Sequence, residues 1–164
     1  MVAMSSITTD TVREWLQEVK DPEIPVLSLV DLGVITQIVI QNDIVKVEMT
    51  PTFVGCPAMD YMKAEVIEAI EKRGKKAEVD INFRDAWSSD KISAKGKEAL
   101  KKFGLAPPPD SAKVFTDLEV LENAKCPRCE GTHTELRNPF GPTLCRSIHY
   151  CNTCKEAFEQ FKPV

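Results

Sequence analysis

The sequence predicts an α/β (α+β) chain in two parts: a small domain with the order α-β-β-α-β, followed by a C-terminal zinc ribbon. Three observations carry this prediction. Apolar residues recur at helical spacing in two segments, β-branched runs form three strand-like segments beside them, and the last third holds two Cys-x-x-Cys pairs. A length of 164 residues suits one ordinary domain plus a small accessory unit. The expected boundaries are a domain over 1–106, a linker over 107–119 and the ribbon over 120–164.

The first helix is read from Thr11-Val12-Arg13-Glu14, a capping-box pattern in which Thr11 and Glu14 satisfy free amides. Val12, Trp15, Leu16 and Val19 follow at i, i+3, i+4 and i+7, an apolar stripe about three turns long. Pro22 and Pro25 stop it and make 21–25 an extended or turning loop. Val34 to Gln41 and Ile44 to Thr50 are rich in β-branched residues, with Asn42-Asp43 as a two-residue turn, which predicts a hairpin. After the loop at 50–57, Pro57 suits the first position of a helix. That helix buries Met59, Met62, Val66, Ala69 and Ile70 and ends at Gly74. Ala77 to Phe83 alternates Val79, Ile81 and Phe83 with polar residues, a third strand. A short helix near Ser93 to Phe103 precedes Gly104 to Asp110, whose three prolines mark the linker. Lys113 to Leu121 reads as a short strand leading into the ribbon.

In the ribbon, Cys126 and Cys129 form one pair and Cys151 and Cys154 the other, with 21 residues between the pairs. Each tight turn aims two thiolates the same way, and the intervening hairpin brings the pairs together, the arrangement that wraps a tetrahedral zinc ion. Four cysteine ligands leave no open position, so the zinc is structural. Cys145 is a fifth thiol: a packed small residue, a spare ligand or part of a second site. His149 is either a donor behind the ligands or a surface histidine, and His133 has no visible partner.

Met1 to Asp10 carries no secretory pattern, and no apolar run is long enough to span a membrane. The expected compartment is a reducing cytoplasm, where six cysteines read as metal binding rather than as a disulfide framework. The net charge is −4, and residues 120–164 hold six Lys/Arg against five Asp/Glu. Neither part has the basic excess of a protein held to phosphates, which argues against nucleic acid as a partner. Nucleotide-binding loops, Gly-x-Ser-x-Gly and His-Glu-x-x-His are all absent. Both histidines lie in the ribbon, so a nucleophile in the first domain would have no base and catalysis is not expected.

Cys56 sits between Gly55 and Pro57, where a loop becomes a helix. The positive end of a helix dipole and its free amides favour thiolate over thiol, and a thiolate ligates iron or attacks an electrophile. The alternative is a small buried apolar residue. Asp21 and Glu23 are hard oxygen donors or turn caps. Trp87, beside Ser88, Ser89 and Asp90, is a binding-loop residue or an anchor for the third strand.

Asp21-Pro22-Glu23-Ile24-Pro25, Asp31-Leu32-Gly33 and Thr50-Pro51-Thr52-Phe53-Val54-Gly55-Cys56-Pro57 resemble the SufT-like iron–sulfur assembly domain. That resemblance places the domain's recurring cysteine at Cys56 and its first acidic motif at Asp21 and Glu23. Trp87 to Ser93, Phe103 to Pro108, Cys126 to Cys129, Phe140 to Cys145, Cys151 to Cys154 and Phe158 to Lys162 resemble the PaaD (also called PaaJ) family of phenylacetate-degradation proteins.

This second resemblance implies a non-catalytic component of the ring-1,2-phenylacetyl-CoA epoxidase system, whose partners are the diiron oxygenase and the iron–sulfur reductase. The implied role is assembly of their metal centres, with Cys56 taking a transient iron–sulfur cluster or iron. One cysteine cannot saturate a cluster, so a homodimer or ligands from the client are implied as well. Cys145 also matches a ribbon cysteine of the family. Competing readings are a docking subunit of the oxygenase with no iron of its own, or a general iron–sulfur carrier.

Overall fold

The computed structural model describes residues 7–109, 122 and 124–163. Two compact units emerge: residues up to Pro51 together with Pro57–Asp85, and Thr52–Cys56 together with residues from Ala86 onward.

In the first unit, helix α1 (Thr9–Leu16) buries Val12 and Leu16. Its cap is Thr8, whose hydroxyl accepts the Thr11 amide at 3.2 Å. The capping box expected at Thr11 and Glu14 is therefore displaced by one turn: Thr11 supplies the N3 amide of a helix begun earlier. The helix is also shorter than three turns, yet Val19 remains buried beyond its end. A one-turn helix α2 (Leu29–Leu32) follows, with Ser28 accepting the Asp31 amide.

Strands β1 (Ile35–Gln41) and β2 (Ile44–Met49) pair antiparallel, with Gln41 opposite Ile44. Asn42 and Asp43 both have positive φ, 48° and 69°, as a two-residue hairpin turn of the primed type demands. Helix α3 (Met59–Glu71) buries Met59, Met62, Val66, Ala69 and Ile70, the stripe read from the sequence. Pro57 lies outside it, because Ala58 is the cap residue and already has helical dihedrals. Strand β3 (Lys76–Ile81) returns parallel to β2, giving the sheet order β1-β2-β3 with α3 as the crossover.

The alternation stops at Ile81 rather than Phe83, which is 60% exposed. Asn82 ends it: its amide donates to Met49, and its side chain accepts from the Arg84 amide and donates to Asp85.

The second unit begins, after the Thr52–Cys56 loop, with Trp87, which is 3% exposed and packs on Phe161 at 5.8 Å between ring centroids. Trp87 is thus a buried core residue of this unit. A 3-10 turn (Ser89–Lys91) leads to α4 (Ala94–Phe103), capped by Ser93. Gly104, at φ 95°, turns the chain from α4 into β4 (Leu105–Ala106).

The sheet order is β4-β7-β6-β5, built with β5 (Thr134–Asn138), β6 (Arg146–Cys151) and β7 (Glu156–Phe161). β4 runs parallel to β7, and the others pair antiparallel. Leu105 and Ala106, which open the Pro-rich stretch expected to be a linker, are thereby buried as a strand. The strand expected over Lys113 to Leu121 lies outside the described residues. A small core of Ala106, Ala124, Cys126, Cys151 and Phe158 sits against the ribbon. No helix among the described residues is long and apolar enough to cross a membrane.

Candidate functional site

Two knuckles build the ribbon's metal centre. In the first, Cys126 donates its amide to Gly131 and accepts the Glu130 amide; in the second, Cys151 accepts the Lys155 amide. Glu130 and Lys155, each directly after its pair, share a left-handed backbone with φ of 60° and 62°. That repeated turn is what points two sulfurs inward from each pair.

The four ligand sulfurs all lie within 4.8 Å of one another, with Cys126 to Cys154 at 3.8 Å and Cys129 to Cys151 at 3.5 Å. Zinc–sulfur bonds of about 2.3 Å in a tetrahedron put sulfurs about 3.8 Å apart, so the donor set fits zinc. None of the six cysteines is in a disulfide.

Electrostatics asks for a cation there. The amides of Cys154 and Thr153 donate to the Cys151 sulfur and bring its pKa down to about 6, against the opposing effect of burial. Burial and the neighbouring sulfurs push Cys154 up to about 12. The centre thus favours one thiolate and resists more until a metal charge balances them. His149 is not a surface residue: it is fully buried, its Nε2 lies 2.9 Å from the Ser147 hydroxyl, and its ring stacks on Phe158 at 5.3 Å. Burial lowers its pKa to about 4, so it is neutral near pH 7.

Cys56 lies at the end of a turn over Phe53–Cys56, closed by its amide donating to the Phe53 carbonyl at 3.2 Å. Gly55 supplies the third turn position with φ 82°, where a side chain would be strained. The thiol is half-buried, while Val54 at the tip is 85% exposed. Lys162 sets its ammonium 5.3 Å from the ring centroids of both Phe53 and Phe140. This cation between two aromatic rings was not legible in the sequence, because the three residues come from distant segments and share no periodic signal.

Asp21 accepts the amides of Glu23 and Ile24 on one carboxylate oxygen, at 2.8 and 2.9 Å, an Asx-type turn. Glu23 is exposed. Both belong to the first unit, whereas the Cys56 loop groups with the second. Cys145 stands outside the zinc tetrad, with its sulfur 3.1 Å from the Thr143 hydroxyl.

An α+β domain with a cysteine-bearing loop and a four-thiol ribbon together define a class, the iron–sulfur assembly domain joined to a zinc ribbon. Family models agree at both ends: residues 9–81 match the iron-sulfur cluster assembly protein family, and residues 110–162 match the PaaD zinc beta ribbon domain. The chain belongs to the PaaD family. It is 32% identical over 99% of both chains to a protein of Escherichia coli K12 provisionally described as one of the subunits of 1,2-phenylacetyl-CoA epoxidase.

Over 60% of its length it is 35% identical to an Fe-S protein maturation auxiliary factor of Porphyromonas gingivalis, covering 92% of that protein. Among solved structures, TM0487 of Thermotoga maritima matches with a TM-score of 0.50 and 32% identity, over 60% of this chain and 96% of that one. A DUF59 domain of Bacillus anthracis matches with a TM-score of 0.51 and 25% identity, over 56% of this chain and 89% of that one. The ribbon carries a structural zinc site.

Proposed function

We propose that this chain is a non-catalytic accessory component of a phenylacetyl-CoA epoxidase system that assists assembly of iron–sulfur or diiron centres in its oxygenase and reductase. The observation that carries the reading is the 32% identity with the Escherichia coli protein over 99% of both chains. It is supported by the iron–sulfur assembly family match over residues 9–81. In this reading Cys126, Cys129, Cys151 and Cys154 hold zinc and keep the ribbon folded. Cys56, on an accessible turn, receives iron or a cluster as cargo in the cytoplasm. The other ligands come from a second copy or from the client.

The test is metal content and visible spectrum of anaerobically purified, iron- and sulfide-reconstituted protein beside Cys56→Ala. One zinc in both, with iron and a sulfide-to-iron charge-transfer band only in the wild type, is the expected result. Zinc without iron in either would replace the proposal with a docking subunit. Asp21→Asn and Glu23→Gln, run alongside, test these carboxylates as oxygen ligands, since loss of iron in either assigns it.

A further inference from the structure

The turn that ends in Cys56 belongs to an exposed patch that the zinc site does not use. Lys162 sets its ammonium 5.3 Å from the ring centroids of both Phe53 and Phe140 and donates to the Pro139 carbonyl at 3.3 Å. These contacts join the segments 52–56 and 138–145, which are distant in sequence but lie in the same compact unit. Three of the seven large apolar side chains exposed among the described residues fall in them: Val54 at 85%, Phe140 at 64% and Leu144 at 53%. Apolar exposure is thus concentrated here rather than scattered, the surface property that marks an interaction site. The backbone beneath is fixed. Besides the Cys56 to Phe53 bond, the Phe140 amide donates to the Asn138 side-chain carbonyl at 3.0 Å and the Gly141 amide to the Arg146 carbonyl at 2.8 Å. Apolar side chains presented on hydrogen-bonded turns have less ordering entropy left to lose when a partner binds.

Charge indicates what covers the patch. The chain carries a net charge of −4, yet 52–56 and 138–145 contain no Asp or Glu, and Lys162 is the cation where they meet. Among the described residues its ammonium touches two rings and a carbonyl and no carboxylate. A cation flanked by aromatic rings pairs with a carboxylate more strongly than one in open water, because the rings lower the local dielectric. We propose that Phe53, Val54, Phe140, Leu144 and Lys162 form the surface on which the client protein docks, through a segment carrying a carboxylate beside a bulky apolar side chain. This inference rests on the maturation reading for the identity of the client. The carboxylate pairs with Lys162 and the apolar side chain covers Val54 and Phe140, which seats the client against the turn that ends in the half-buried Cys56 thiol.

The experiment measures binding of the full zinc-loaded chain to the purified oxygenase and reductase of the epoxidase system, by calorimetry at two salt concentrations. Wild type is compared with Lys162→Glu, Lys162→Arg, Val54→Asp and Lys102→Glu, each checked for one zinc per chain and wild-type tryptophan emission. The expected result is that wild type binds one of the two proteins and that salt weakens the complex. Lys162→Glu and Val54→Asp each weaken it about tenfold or more, the second by placing an anion on a fully accessible tip where folding is not at stake. Lys162→Arg, which keeps a cation over the rings, stays close to wild type. Lys102→Glu, an exposed cation outside both turns, changes binding by no more than about twofold.

Binding to neither protein, or binding that Lys162→Glu and Val54→Asp leave intact, overturns the inference. So does self-association in sedimentation that Val54→Asp abolishes, since a second copy would then occupy the face. Iron uptake at Cys56 is read separately. Iron in the wild type with docking untouched by the patch variants sinks the surface and leaves the maturation reading standing. Docking that depends on Lys162 and Val54, in a wild type that takes up no iron, keeps the surface and sinks that reading.

Discussion

The two units of this chain hold themselves together by different means. The first packs helices on a three-stranded sheet, and Val12, Leu16, Leu29, Val45, Val66 and Ile70 are all fully buried. Among the described residues, the small cluster beside the zinc site holds Ala106, Ala124, Phe158, Cys126 and Cys151, and the last two belong to the four-thiol set that fits zinc. Apolar burial contributes about 25 cal/mol per Å² of surface removed from water and is spread over many contacts. A structural zinc concentrates roughly 10–16 kcal/mol of apparent binding energy in four bonds. The lesson is that the first unit should fail gradually and the ribbon all at once.

The chain offers a reporter for each unit, since its two tryptophans are Trp15 in the first and Trp87 in the second. The largest expected effect is zinc removal. Chelation, or Cys151→Ser, should shift Trp87 emission to the red in a Trp15→Phe background and leave Trp15 emission unchanged in a Trp87→Phe background. A shift of Trp15 on chelation would show that the zinc supports both units.

Ile70→Ala should act in the opposite direction. Removing a fully buried side chain from α3 should cost about 2–5 kcal/mol in the unfolding followed by Trp15, with one zinc retained per chain. Loss of zinc in that variant would contradict separate stabilisation.

Acid should distinguish the units next, because both histidines, His133 and His149, lie in the second. The folded His149 titrates at about 4, below its ordinary 6.5. Between these values the unfolded chain binds a proton that the folded ribbon refuses. The stability contributed by neutral His149 is thus complete above pH 6.5 and is lost as the pH falls toward 4. One pH unit below 6.5 the loss is about 1.4 kcal/mol. With zinc in excess, Trp87-reported stability should fall between pH 7.5 and 5.5 by about that much more in the wild type than in His149→Gln. Equal falls in the two proteins would assign the acid sensitivity to the thiolates alone.

The smallest effect concerns the first unit. Thr8→Ala should cost about 1 kcal/mol as loss of the α1 cap, and Thr11→Ala less. The reverse order would restore the cap to Thr11.

Much of the first unit was legible because its signals are local. The buried stripe of α3 and the Asn42-Asp43 turn each follow from a few neighbouring residues, and their period or turn chemistry survives in the tertiary structure. The misses lie where a neighbour outweighed the local pattern. Asn82 is drawn into side-chain bonds with Glu48 and Asp85, which ends β3 early. Leu105 and Ala106 join a sheet because β7 presents an edge to them, although three prolines follow. His149 reads as a polar residue near a knuckle, and only the stacking of Phe158 and the closure of the ribbon bury it.

The sequence by itself determined the α-β-β-α-β order of the first unit's longer elements, the core stripe of α3 and the four-thiol ribbon, since each depends on spacing along one segment. Tertiary structure alone decided the parallel return of β3, the capture of β4, and the meeting of the Cys56 turn with Lys162 and Phe140. Those depend on contacts between segments far apart in the chain, and spacing along one segment carries no information about which distant segment will be its neighbour.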